Sequence, residues 1–374
     1  MTPPLTPFQP TKTPTQVGQA SQTISSTPTH PTEAPIQDTN WLRQTLRLMG
    51  WVLFMARRRI MGKILVGLIL ALFAVFVAGQ VYIYYAIATS PVNVGGDCAP
   101  IGTPAPNSNQ PPQIVCQPPT QQEIDQAKVA QQQAANSFRD SYLAFPGSIG
   151  IAGAYTSYMG VFLLCILTGA LIGGEYGFST QRLAFMRGVT RAQMVTAQLA
   201  AMAILALIVA GVMIVLGILV GTAIAGAMGS SFSFPPPRGY WELFAYWIAL
   251  AFNLFAYALI AFFMATLGKS TAAGIGVALV YLLLEFVVGN ILVGLGLLGD
   301  ATNNATLKAV SHIPDWFLGN NLSSLTWHAG QYPLAITLGS NSLDPLRAFF
   351  VALAYCAIFM GLGYYIVRTR DVLD

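Results

Sequence analysis

Residues 173–193 read GGEYGFSTQRLAFMRGVTRAQ and lie between two long apolar runs. The stretch carries one acid, Glu175, and three arginines, Arg182, Arg187 and Arg191. Hydrocarbon cannot accept that many charges and hydrogen-bonding groups, so the stretch lies in water at one face of a membrane. Its positive charge assigns that face to the cytoplasm. Within it, apolar Leu183, Phe185 and Met186 interleave with polar Gln181, Arg182 and Arg187. That is the pattern of a short amphipathic helix, and such a helix offers a handle to something inside the cell.

The rest of the 374-residue chain agrees with a membrane setting. It is 54% hydrophobic and 9% charged, where soluble domains carry about 25% charged residues. In lipid every backbone polar group must be satisfied internally, which leaves helices for so apolar a chain. The composition therefore predicts an all-α polytopic membrane protein.

Residues 1–40 are rich in Pro, Thr, Gln and Ser. They lack the apolar surface that would offset their ordering entropy, and they read as a disordered cytoplasmic tail, not a signal peptide. Over 41–62 apolar Trp41, Leu42, Leu46, Met49, Val52 and Leu53 alternate with Arg43, Gln44 and Arg47, as in an amphipathic helix lying at the headgroups. Arg57, Arg58, Arg59 and Lys63 then mark the cytoplasmic edge of the first span and suit anionic lipid.

Six spans follow within 63–374, at about 64–88, 148–172, 194–227, 240–267, 272–298 and 346–367, each long enough to cross about 30 Å of hydrocarbon. Two polar outer loops, about 90–146 and 299–345, separate spans one from two and five from six. Residues 121–145 have helical composition. An even number of spans puts both termini on one side. Assigning them to the cytoplasm places thirteen of the eighteen Lys and Arg there, leaving Lys128, Arg139, Arg238, Lys308 and Arg347 outside. Cys98 and Cys116 then share an oxidising outer loop, where a disulfide between them is expected, with two free thiols as the alternative. Cys165 and Cys356 fall in apolar runs and read as small hydrophobes. The four-residue glycine spacings Gly169/Gly173 and Gly217/Gly221 read as close helix packing.

No enzyme motif survives inspection. Gly268-Lys269-Ser270 imitates the end of a phosphate-binding loop, but Phe263 stands where its first glycine belongs. HExxH and GxSxG are absent, and His30, His312 and His328 are too scattered for a catalytic or metal centre. His312 with Asp315 reads as a solvated pair. Glu285, inside YLLLEFVVGN, is the exception among the spans. A carboxylate there costs on the order of 3 kcal/mol on insertion scales and must pair, protonate or face water. Two readings stay open: it lines a route or gate, or it bonds a neighbour such as Asn253 or Asn290 and fixes packing.

The 173–193 stretch resembles the signature of ABC-2-type permeases, the membrane subunits of ATP-binding-cassette exporters. The residues that carry the likeness are Glu175-Tyr176 after span two, Ser179-Thr180, the helix Gln181 to Met186, and Gly188-Val189-Thr190-Arg191. Ser179 replaces the usual glycine of the turn. The amphipathic helix before span one, the Ile313-Pro314-Asp315-Trp316-Phe317 patch before span six and the Arg368 to Asp371 close are also similar. The resemblance covers residue 41 to the end; the proline-rich tail and the cysteine-bearing loop are not typical of the family.

The resemblance implies a non-catalytic permease in the plasma membrane, pairing with a second copy or a paralogue around a central route. ATP and Mg would be bound by a separate ATPase subunit, and none by this chain. Glu175, Arg182, Phe185, Met186, Arg187, Gly188 and Arg191 would form the coupling element, with Phe185 and Met186 as apolar anchors and the arginines meeting carboxylates of the ATPase. The competing expectations are an ion-coupled secondary transporter using Glu285 and a membrane assembly or sensory protein.

Overall fold

A capped turn at Thr190 and a cluster of glycines at helix crossings set the arrangement of the helices. The computed structural model describes residues 41–58, 60–91, 98–101, 113–116, 119–177, 185–186, 188–229, 237–330 and 343–369. The tail, 1–40, lies outside them. Among the described residues six helices are long and apolar enough to cross a membrane, so the chain is a helical polytopic membrane protein. They are α2 (Ile60–Thr89), the joined pair α4 (Gly147–Tyr155) and α5 (Val161–Gly177), α6 (Arg191–Met228), α7 (Pro237–Gly268), α8 (Thr271–Thr302) and α11 (Pro345–Thr369). The remaining described helices are α1 (Trp41–Arg58), α3 (Gln121–Phe138), α9 (Ala305–Val310) and α10 (Leu318–Ala329).

Local chemistry explains the boundaries. Thr190 caps α6 by accepting from the Gln193 amide, while the Gln193 side chain accepts from the Thr190 amide. This reciprocal box starts a 38-residue helix, which ends where Gly229 adopts φ +66 and closes the last turn. Ser270 caps α8 after the tight Gly268–Ser270 turn. A π-helical turn over Thr156–Gly160 joins α4 to α5, so the second span carries one irregular turn.

The core forms around α5 and α7. In the central windows of the second and fourth spans 67% of residues are buried, against 11% for α2, 6% for α8 and 17% for α11. Leu250, Leu254, Leu259 and Phe262 of α7 are fully enclosed. Both glycine spacings lie at crossings. A Cβ on Gly173 would come within 2.4 Å of the Thr271 nitrogen, and one on Gly169 within 2.8 Å of the Ile275 nitrogen, so α5 and α8 meet backbone to backbone. Gly217 and Gly221 press likewise on Ala152 and Ser148.

Contacts between helix termini define the two ends of the bundle. The starts of α6 and α8 meet the ends of α11 and α5 at one, here called the basic end. There α1 packs along α6 through Thr45, Val52 and Ala56. Trp41, Leu42, Leu46 and Phe54 remain exposed on its other faces, as an interfacial helix requires. At the opposite, distal end α3 rests on α2, with Gln131 donating to the carbonyls of Ile87 and Ser90.

Two features of the outer segments depart from the polar loops expected. A two-stranded antiparallel hairpin, β1 (Cys98–Ile101) with β2 (Gln113–Cys116), sits between α2 and α3. More consequentially, the segment after α8 turns back into the bundle. Gly299 lies against Leu307, Gly296 against Ser311, Gly289 near Phe317, and Gly319 against Glu285. The returning chain thus runs down α8 to its middle before α10 climbs back along α7, from Tyr257 at Gly319 to Tyr246 at Gly330. Leu318 and Leu322 are almost wholly buried on the way up. Polar composition suggested a polar loop over 299–345, but in its described part, to residue 330, the small residues at the contacts let it pack as a re-entrant helical hairpin.

Candidate functional site

Two polar clusters stand out in this apolar frame, one at the basic end and one at the middle of α8. At the basic end the stretch between α5 and α6 is bracketed by buried polar contacts. Glu175, one turn from the end of α5, is fully buried and accepts a hydrogen bond from the Gln198 amide of α6. Its carboxylate is therefore turned into the bundle, away from any surface that a docking partner could reach in this chain alone. Arg191, the first residue of α6, donates through one guanidinium nitrogen to the carbonyls of Val367 and Arg368, at 3.3 and 2.8 Å. Those carbonyls belong to the last turn of α11, where unsatisfied acceptors favour a cation. Gln193 in turn donates to Gln44 of α1 at 2.9 Å.

Between these contacts the structure describes Phe185, Met186 and residues 188–190. Met186 is 76% exposed, Phe185 is half-buried, and Gly188 turns the backbone at φ +84, a conformation suited to glycine. Arg182 and Arg187 lie outside the described residues. The structure therefore separates the expected coupling residues into two kinds. Glu175 and Arg191 hold helices together, whereas Phe185, Met186 and Gly188 lie between them. Gln44, Gln193 and Gln198, which complete the brackets, carried no signal in the sequence because glutamine is common in helices and neutral.

The second cluster forms on Glu285. Its two oxygens accept from the Tyr257 hydroxyl of α7, at 2.9 Å, and from the Gly319 amide in the first turn of α10, at 2.5 Å. Phe317, which precedes α10, supplies no side-chain cap, so the Glu285 carboxylate serves as that cap from another helix. A Cβ on residue 319 would fall 2.6 Å from the Tyr257 oxygen and 3.2 Å from the Glu285 carboxyl carbon. Only glycine leaves room for this contact.

The neighbours expected of Glu285 are not its hydrogen-bond partners. Asn290 is exposed and donates to Phe286 on its own helix. Asn253 is buried one helical turn before Tyr257, and its side-chain oxygen has no hydrogen-bond partner. The asparagines were natural candidates because Asn290 shares the span of Glu285 and Asn253 lies on the preceding one. The true partner, Gly319, is 34 residues downstream and reaches it only because the outer segment re-enters.

Further out, the hairpin register sets Cys98 opposite Cys116. Opposed residues of antiparallel strands have Cα atoms about 4.5–5.5 Å apart, inside the range a disulfide spans. His312 and Asp315 form an exposed pair at 3.2 Å, and no cluster of three or more metal-ligating residues occurs among the described residues. No family model matches this chain, and a search of curated proteins finds no matching relative.

Proposed function

We propose that this chain is the permease subunit of an ATP-binding-cassette exporter of the ABC-2 kind, working with separate ATPase subunits. In this reading the basic end faces the cytoplasm, the chain resides in the plasma membrane, and a second copy or a paralogue completes the route. ATP and Mg belong to the partner ATPase.

The observation that carries the reading is the contrast at the basic end. Met186 is exposed and Phe185 half-buried, while Glu175 before them and Arg191 and Gln193 after them are tied to α6, α11 and α1. A partly exposed, amphipathic element with firmly anchored flanks suits a docked ATPase that pushes on it and moves several spans at once. The resemblance of Glu175 to Arg191 to the permease signature supplies the identity of the pushing partner. The mainly exposed faces of α2, α8 and α11 leave area for lipid and for a second subunit.

Co-purification tests it. The full chain, purified from its own cells, should carry an ATP-binding-cassette ATPase through size-exclusion chromatography. Met186→Asp should release it without changing the yield of folded permease. Retention that is indifferent to Met186→Asp, or no association at all, would remove the assignment. Arg191 is a poor place for the same test, since changing it also uncaps α11.

A further inference from the structure

The partners of Glu285 are both neutral donors, a phenol and a backbone amide. A neutral amide oxygen, with two lone pairs, could accept from both. An acid is the more costly choice inside a membrane, so packing alone does not call for one here. No Lys, Arg or His among the described residues forms an ion pair with it. The positive end of a helix, the first turn of α10, stands where a cation would.

Tyrosines lie on the elements next to the carboxylate. Tyr281 lies one turn before Glu285 on α8, and its ring centre is 6.5 Å from that of Tyr257. Tyr355 of α11 donates its hydroxyl to the carbonyl of Trp316, at the tip of the re-entrant segment and three residues before Gly319. Glu285, Tyr281 and Tyr355 are all half-buried, so the cluster borders accessible surface at membrane depth. One carboxylate with several aromatic faces is the chemistry that recognises an organic cation, in which charge and apolar body are both satisfied.

We propose that Glu285, Tyr257, Tyr281 and Tyr355 form a binding site for a lipophilic organic cation, whose place at the carboxylate the Gly319 amide takes in this structure. Binding requires the first turn of α10 to draw back from Glu285, and the cation then replaces the amide as the partner of the charge. Its role in transport rests on the permease reading, for which it names the chemistry of the cargo. Binding itself does not, because it is measured on this chain alone.

The probe is tetraphenylphosphonium, titrated by equilibrium dialysis into the purified full chain in detergent, with neutral triphenylphosphine oxide as control. The expected result is saturable binding of the cation alone, weakened at least about tenfold by Glu285→Gln and several-fold by Tyr281→Ala. Glu285→Asp, which keeps the charge, should stay closer to the wild type than Glu285→Gln. Absence of saturable binding by the wild type, or equal binding by Glu285→Gln, overturns the site. If Glu285→Gln is not monodisperse, Tyr281→Ala decides, and unchanged affinity there overturns it equally. A negative result leaves ATPase coupling untouched, and failure to retain an ATPase leaves this site standing.

Discussion

Two glutamates of this protein invert what their positions suggest. Glu175 belongs to a basic, water-seeking stretch, yet it is fully buried and bonded to Gln198 of the neighbouring span. Glu285 lies at the middle of a span, yet it is half-buried and holds a segment that returns from outside. The first carboxylate is a fixed joint between α5 and α6, at the root of the arginine-bearing stretch. The second is a contact between a span and a re-entrant tip, with an accessible side. Distance from the end of a helix therefore does not rank the burial of a charge in a bundle; the neighbours that close over it do.

That contrast orders the expected effects of substitution. Glu175→Ala should cost most, about 2–4 kcal/mol, because it opens a sealed void and leaves the Gln198 amide without its acceptor. Thermal unfolding of the detergent-purified protein would show it as a lowered midpoint and a reduced folded yield. Glu285→Ala should cost less, about 1–3 kcal/mol, since its side chain is only half-buried and its loss strands two donors without opening a sealed void. Were Glu285→Ala the more damaging of the two, the contrast between a sealed joint and an open one would be wrong. Tyr257→Phe removes one of the two hydrogen bonds and keeps the ring. It should lower stability by about 0.5–1.5 kcal/mol, and combining it with Glu285→Ala should add little, as a double-mutant cycle would reveal.

A third glutamate provides the exposed end of the series. Glu123 caps α3 in open solvent, and the Thr120 amide donated to its carboxylate holds its pKa below the ordinary 4.5. A carboxyl whose folded pKa is depressed contributes above its unfolded value and loses that contribution as pH falls through the folded one. Hydrogen exchange in the first turn of α3 should thus show less protection well below pH 4.5 than at neutral pH, after correction for intrinsic rates. The change should be the smallest of the four and confined to that turn. A loss of protection throughout α3 would mean that the cap supports more than its own helix end.

Much of the frame was legible in the residues. The six spans fall within a few positions of their expected bounds, and α1 begins at Trp41 as its alternating pattern predicts. Apolar runs of span length are a local signal, whereas the Thr190 and Ser270 caps that begin α6 and α8 emerged only in the structure. The glycine spacings announced close packing, though not which helices would meet. The candidate sites were less legible. Arg191 read as a docking charge, but it reaches 177 residues along the chain to Arg368. Tyr257 carried no mark at all, being one of fifteen tyrosines.

By itself the sequence determined that the chain crosses a membrane six times, where each crossing starts, and that one polar, arginine-bearing stretch must stay in water between two of them. Those outcomes follow from hydrocarbon excluding charge and unpaired backbone, which acts on each segment independently. Only the tertiary structure decided that the segment before the last span re-enters, that Gly319 meets Glu285, and that Glu175 faces inward. These depend on which small residues let two backbones approach, and that is a property of pairs of segments far apart in the chain.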